Sequence, residues 1–354
     1  MLRLTVLTLG LTAAALAQDA GPMTDASVAL VNPMPQTGVQ DLSNVMRTMA
    51  DCRDVSYDES ARTFHLRGTS AQIALAEWAV RQVDLPAGAV LPSQPLSYNY
   101  LGGTGRETPN SAVRLFFLDQ TDSIADMQDY QNILRTGADI QRVFAFTPLK
   151  AIFARSEAVR VTMAEWLISQ LDRPAEPGKT ASYNYPGSDA DRANPLYSRV
   201  TAVRVFFLAH ITTPREMQDM LNITRTGADI QRVFQMASRH ALIIRAEPER
   251  AALAQWLVQH LDQEPKAGRT AVSYDYVDPV FPVASRTVHV FYLNHEQPPP
   301  AVQALQTRMR TEATLQRVFF ASGANAIVVG GRPEQVAAAE KMVAQAEETA
   351  GNSK

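Results

Sequence analysis

Groups that could do chemistry are sparse in this chain of 354 residues. The six histidines are His65, His210, His240, His260, His289 and His295, and no two stand four apart beside a glutamate, the spacing that lets one helix face hold zinc. His210 and His295 occupy matching places in separate copies of a repeat, which reads as a loop position rather than one assembled site. No G-x-S-x-G elbow, phosphate loop or dinucleotide-binding glycine pattern occurs. Cys52 is the single cysteine, so it closes no disulfide within the chain and reads as a small buried residue. No catalytic, cofactor-binding or metal-binding residue is assigned, and neither an enzyme nor a cofactor is expected.

The side chains that do recur are arginines inside a copied decapeptide. "RTGADIQRVF" runs from Arg135 to Phe144 and returns unaltered from Arg225 to Phe234. A looser copy, "RTEATLQRVF", spans Arg310 to Phe319, and a worn one, "RTMADCRDVS", spans Arg47 to Ser56. Arg142, Arg232 and Arg317 therefore hold one repeated position. They form a shared interface surface if the units align, or they solvate a strand and pair with a nearby carboxylate. Overall, 33 Lys and Arg against 36 Asp and Glu give a formal charge of -3 without long basic blocks, so nucleic acid is not an expected partner. A composition with 46% hydrophobic and 19% charged residues is that of ordinary globular material.

The elements that carry these positions also repeat. Trp78, Trp166 and Trp256 fall on one another when the copies are superposed, with Lys341 at the same place in the last copy. A period near 90 residues is too long for a helical-hairpin solenoid and corresponds to one small domain per copy. The expected divisions are a signal peptide at 1–17 and units at 18–90, 91–175, 176–265 and 266–354. "AVRLFFL", "AVRVFFL" and "TVHVFYL" have strand composition. "TPRE" then writes a helix start, with Thr213 as cap, Pro214 at the first turn and Glu216 closing a capping box, worth about 1 kcal/mol. Gly137 and Gly227 follow at the helix exit, where a left-handed residue closes the helix, and "IQRVF" opens the next strand. A third strand and a second helix complete each copy. Trp78, Trp166 and Trp256 lie on the apolar stripe of that second helix and are assigned to the core. The predicted fold is α+β: a tandem array of βαββα domains, each a three-stranded sheet with two helices on one face.

The first seventeen residues combine Arg3, an apolar run and an A-x-A ending, which predicts secretory export with cleavage after Ala17 and a periplasmic or secreted location. No later stretch is apolar and long enough to span a membrane. The linkers "DLPAGAVLPSQP", "DRPAEPGKT" and "DQEPKAGRT" contain Pro and Gly, and they predict a semi-rigid string rather than a globule.

On the succession from "VRVFFL" through "RTGADIQRVF" to "AQWLVQHLD", and on "GANAIVVGGRPEQVAAAEKMV", the chain resembles the periplasmic N-terminal domains of bacterial secretins, over about residues 27–346. Asn325 keeps the wording of that family's third strand, while Lys150 and His240 replace it in units two and three. The resemblance implies ring-building domains that bind other envelope components. The pore domain that follows them in secretins is not recognised in this sequence, so channel function is not carried over.

Strand alternation places Val203, Val205 and Phe207 on one sheet face and Arg204, Phe206 and Leu208 on the other. Helices cover one face only. Phe116, Phe206 and Phe291 are therefore assigned to an interface, needing a cover if they lie on the open side. The recurrent "LSYNY", "ASYNY" and "VSYDY" segments, which can add a strand or lay tyrosines over that face, are the nearer candidate, and a neighbouring subunit or partner is the other. The expected function is non-enzymatic: a cell-envelope scaffold or docking protein with protein partners, further copies of itself included, in a secretion or pilus-type assembly. The alternative is a soluble binder of cell-wall glycan or another anionic polymer.

Overall fold

The computed structural model describes residues 21–101, 112–121, 123–188, 191, 201–278 and 286–352. Residues 1–17, the expected leader, lie outside these. Four successive segments each close an antiparallel sheet against two helices, an α+β architecture. The first contains β1 (Thr24–Ala29), α1 (Gln36–Asn44), β2 (Asp54–Asp58), β3 (Thr63–Gly68) and α2 (Ser70–Val83). In the second are β4 (Leu96–Asn99), β5 (Ala112–Phe117), α3 (Ile124–Asn132), β6 (Arg142–Phe146), β7 (Ala151–Ser156) and α4 (Ala158–Leu171). The third has β8 (Thr180–Tyr185), β9 (Thr201–Phe207), α5 (Pro214–Asn222), β10 (Arg232–Met236), β11 (Ala241–Ala246) and α6 (Pro248–Leu261). The fourth has β12 (Val272–Tyr276), β13 (Arg286–Tyr292), α7 (Pro299–Thr311), β14 (Arg317–Ala321), β15 (Ala326–Gly331) and α8 (Pro333–Asn352).

Three strands per unit were expected, and among the described residues only the first sheet has three, in the order β1-β3-β2. In the others the tyrosine-bearing linker segment adds a fourth: β4-β5-β7-β6, β8-β9-β11-β10 and β12-β13-β15-β14. Its Thr, Tyr and Val residues suit a pleated, half-buried strand, and it pairs antiparallel with the next core strand, Tyr183 opposite Val203.

The helix start forms as written: Glu216 donates its N–H to Thr213 Oγ1 at 3.3 Å, and Thr213 N–H reaches Glu216 Oε2 at 2.9 Å. The exit differs from expectation. α1, α3 and α5 each run into a five-residue π turn, Val45–Met49, Ile133–Gly137 and Ile223–Gly227. Gly137 and Gly227 end those turns without left-handed backbone. The left-handed residue comes two positions later, at Asp51, Asp139, Asp229 and Thr314, with φ of 57°, 55°, 55° and 51°. Asp tolerates this region better than most side chains, so glycine is not needed for the turn. A Cβ on Gly137 meets its nearest atom, Phe234 Cε2, at an ordinary 3.7 Å.

The first arginine of each copy fastens this exit to the following strand. Arg47, Arg135, Arg225 and Arg310 donate to the carbonyls of Val55, Val143, Val233 and Val318 at 2.7, 2.6, 3.2 and 2.7 Å. The carboxylate that closes the second helix has a parallel task. Asp172 accepts the N–H groups of Asp119 and Gln120, and Asp262 those of Ala209, His210 and Ile211. Lys150, His240 and Asn325 all adopt left-handed backbone before the third strand. Asn325 adds side-chain bonds to the carbonyls of Leu293 and His295.

Phe116, Phe206 and Phe291, assigned above to an interface, are 2%, 1% and 4% exposed and pack with the helices of their own units. The other sheet face is the one that meets a neighbour. Val113 and Leu115 join the core of unit 1, Val203, Val205 and Phe207 that of unit 2, and Val288, Val290 and Tyr292 that of unit 3. The string expected from the linkers is thus corrected to a stack. The apolar face that one unit's helices leave open is buried on the unit before it.

Candidate functional site: the joints between units

The joint between units 2 and 3 is built from the copied decapeptide. The π turn and the left-handed backbone bring the Asp139 carboxylate to the unit boundary, where Oδ2 lies 2.8 Å from Arg232 Nη1 and 2.9 Å from Arg245 Nη1. Arg245 also donates to the Gly137 carbonyl at 3.0 Å and to Thr201 Oγ1 at 3.0 Å. Its guanidinium lies over the ring of Tyr185, the last residue of the added strand, 4.2 Å from the centroid. The Tyr185 hydroxyl donates to Asp191 at 2.8 Å, and Arg160 of α4 bridges Asp191 to the Asp139 carbonyl.

Burial, and then the neighbouring Arg232, push Arg245 below the usual arginine range, while Asp139 and Tyr185 oppose that shift. Tyr185 is pushed up by burial and by Asp191. Burial works against the Asp191 carboxylate, yet the Ser188 N–H, the Tyr185 hydroxyl and Arg160 together hold it below its ordinary range.

The other joints repeat the arrangement. Asp51 pairs with Arg142 at 2.8 Å and Arg155 at 3.0 Å, with Arg155 3.7 Å from the centre of the Tyr100 ring. Asp229 pairs with Arg317 at 2.8 Å and Arg286 at 2.9 Å, with Arg286 over Tyr276 at 4.6 Å. The buried arginine has changed strands here. It leaves the third core strand, where Gly330 now stands, and enters the first, at Arg286. A Cβ on Gly330 would meet Arg286 Cδ and Nε at 3.4 Å, so the small residue makes room for the relocated side chain.

Aromatic residues line the same boundary. Trp78, Trp166 and Trp256 sit over Tyr98, Tyr183 and Tyr274 of the following unit, with centroids 5.3, 5.3 and 5.4 Å apart. Trp166 and Trp256 are only partly buried. Trp78 belongs to a buried core cluster and Trp166 and Trp256 pack against theirs, and all three also stand at a joint, where such pairs contribute about 0.5–1.5 kcal/mol beyond area. Gly137 and Gly227 face Phe234 and Phe319 across the boundary.

Arg142, Arg232 and Arg317 thus meet an aspartate from the preceding unit of the same chain, an arrangement that combines both readings open at the sequence level. Sequence reasoning passed over Asp51, Asp139 and Asp229, the buried Arg155, Arg245 and Arg286, and the ring role of Tyr100, Tyr185 and Tyr276. The signal was present in the third letter after the Arg-Thr pair of the first three copies and in the closing tyrosine of "SYNY" and "SYDY", but each aspartate–arginine pair joins residues from different copies.

Among the described residues no group of three or more His, Cys, Asp or Glu side chains is placed to hold a metal ion. Burial pushes His260 and His289 down from the usual imidazole range. His210 and His295 lie near Glu264 and Glu347 in loops of separate units. An open cleft of about 820 Å³ separates α5 from α7, lined by Arg215, Asn222, Gln303, Gln306, Phe319 and Phe320 among others. No described helix is long and apolar enough to cross a membrane.

Neither a protein-family model nor a curated protein matches the chain. Among solved structures, Aeromonas hydrophila ExeD is similar at 18% identity and a TM-score of 0.16, over 68% of this chain and 41% of that one. The pilotin–secretin AspS–GspD complex of ETEC matches at 15% identity and TM-score 0.16, over 69% and 38%. The type II secretion system secretin GspD of E. coli K12 matches at 14% and 0.16, over 68% and 39%. The chain spans about two fifths of the length of these structures.

Proposed function

We propose that this chain is a non-enzymatic cell-envelope scaffold or docking protein, exported by its leader and acting through protein–protein contact in a secretion or pilus-type assembly. The observation that supports this most directly is that the most faithfully copied sequence in the chain is spent on holding units together. Each joint places two arginines on one aspartate, and one of the two also lies over a tyrosine ring. Buried ion pairs of this kind add little net stability against an apolar replacement, but they penalise a wrong register heavily. A chain built this way presents a fixed succession of domain surfaces, as a scaffold needs.

Affinity capture from envelope extract followed by sizing tests the reading. A discrete protein complex carrying this chain is expected, and a chain that elutes alone from every extract overturns it. The cleft between α5 and α7, with its amide and phenyl groups, favours the second reading, a binder of cell-wall glycan or another anionic polymer. Retention of the lone chain on insoluble cell wall, lost in Gln303→Ala with Gln306→Ala, would support that reading instead.

A further inference from the structure

The first and last units each have one face that meets no other unit among the described residues, and both faces depart from the joint pattern at matching positions. On the sheet side the register makes the comparison direct, because Arg67 opposite Asp25 corresponds to Arg155 opposite Val113. Unit 2 presents Val113, Leu115 and Phe153 to its neighbour. Unit 1 carries Asp25, Ser27 and His65 at those places, all exposed, and Ser27 and His65 hydrogen-bond each other at 3.0 Å. Asp54 stands where Arg142 receives the aspartate.

The helix side of unit 4 is altered to match. Thr314 keeps the left-handed backbone but has no carboxylate, and Gln335 donates to its carbonyl and hydroxyl oxygens, each at 3.0 Å. Glu312 replaces the glycine and pairs with Arg308 of its own helix, and exposed Lys341 replaces the tryptophan. A stacked array needs polar outer faces on its terminal units to stay soluble.

We infer that these two faces are caps, and that copies of this chain do not join end to end through the contact that unites their own units. Continuing the stack would bring Asp54 onto a joint that has lost its aspartate, and would bury Asp25 and His65 where the internal joints bury Val113 and Phe153. A partner touching either end meets a charged surface, so that contact is wet and salt-sensitive.

Cross-linking tests the inference on the full chain with Cys52→Ser. A short bis-maleimide is applied to Asp54→Cys with Thr314→Cys, and in parallel to Asp139→Cys with Arg232→Cys. The internal pair is expected to link within one chain, and the terminal pair to give no species above single-chain mass. A ladder of multiples from the terminal pair overturns the inference. Independently, Asp25→Val with Ser27→Leu and His65→Phe, which gives unit 1 the apolar face of unit 2, is expected to tighten self-association at least tenfold in sedimentation equilibrium. An unchanged association constant shows that the polar residues are not what blocks stacking, and also overturns it.

Discussion

The second and third joints solve one problem with different residues. Between units 2 and 3 the buried guanidinium comes from Arg245 on β11, and between units 3 and 4 from Arg286 on β13, yet both reach an Asp carboxylate and the ring of the tyrosine that closes their unit's added strand. Both also donate to the carbonyl of the glycine two residues before that aspartate. The position of the charge in space is held, and the strand that supplies it is not. A complementary pair of changes, arginine lost and glycine gained on the third strand, keeps the volume of the joint roughly constant.

Asp139→Ala should break the second joint most severely. It leaves Arg245, with 5% of its side chain exposed, without its carboxylate, and removing one partner of a buried pair costs about 3–5 kcal/mol. Urea denaturation should show that loss, and hydrogen exchange should show it concentrated at the boundary of units 2 and 3. Arg286→Thr should cost about as much in the third joint, and adding Gly330→Arg should recover part of it by rebuilding the arrangement of the second. A double-mutant cycle should give a favourable coupling of about 1–3 kcal/mol, and a coupling near zero would mean that the two strands are not interchangeable donors. Gly227→Ala should change stability least, by under about 1 kcal/mol, and in the stabilising direction. Its backbone is not left-handed, and the nearest atoms to a new Cβ lie at 3.7 Å.

The fold within each unit was legible because its signals are local: the strand composition of "VRVFFL", the capping box at Thr213, and the apolar stripe around Trp256. The joints were much less so. Alternation correctly separated Phe206 from Phe207, but it does not say which face the helices take, and Phe206 was placed on the side that Phe207 occupies. The copied Asp139 showed that its position matters without showing its partners, since Arg232 and Arg245 lie about a hundred residues downstream. Periodicity within a repeat is blind to contacts between repeats. The move of the arginine from Arg245 to Arg286 hides the pattern further, because the two positions do not align.

The four arginines that seal the carbonyls of Val55, Val143, Val233 and Val318 bear on how the chain avoids error. Those valines lie on β2, β6, β10 and β14, the terminal strand of each sheet, whose unpaired edge would otherwise template a foreign strand. Neighbouring copies of nearly identical sequence are the most probable intruders while such a chain is folding. A guanidinium anchored eight residues away takes up the carbonyl that an intruder would need, so the repeat carries its own protection against cross-pairing and aggregation.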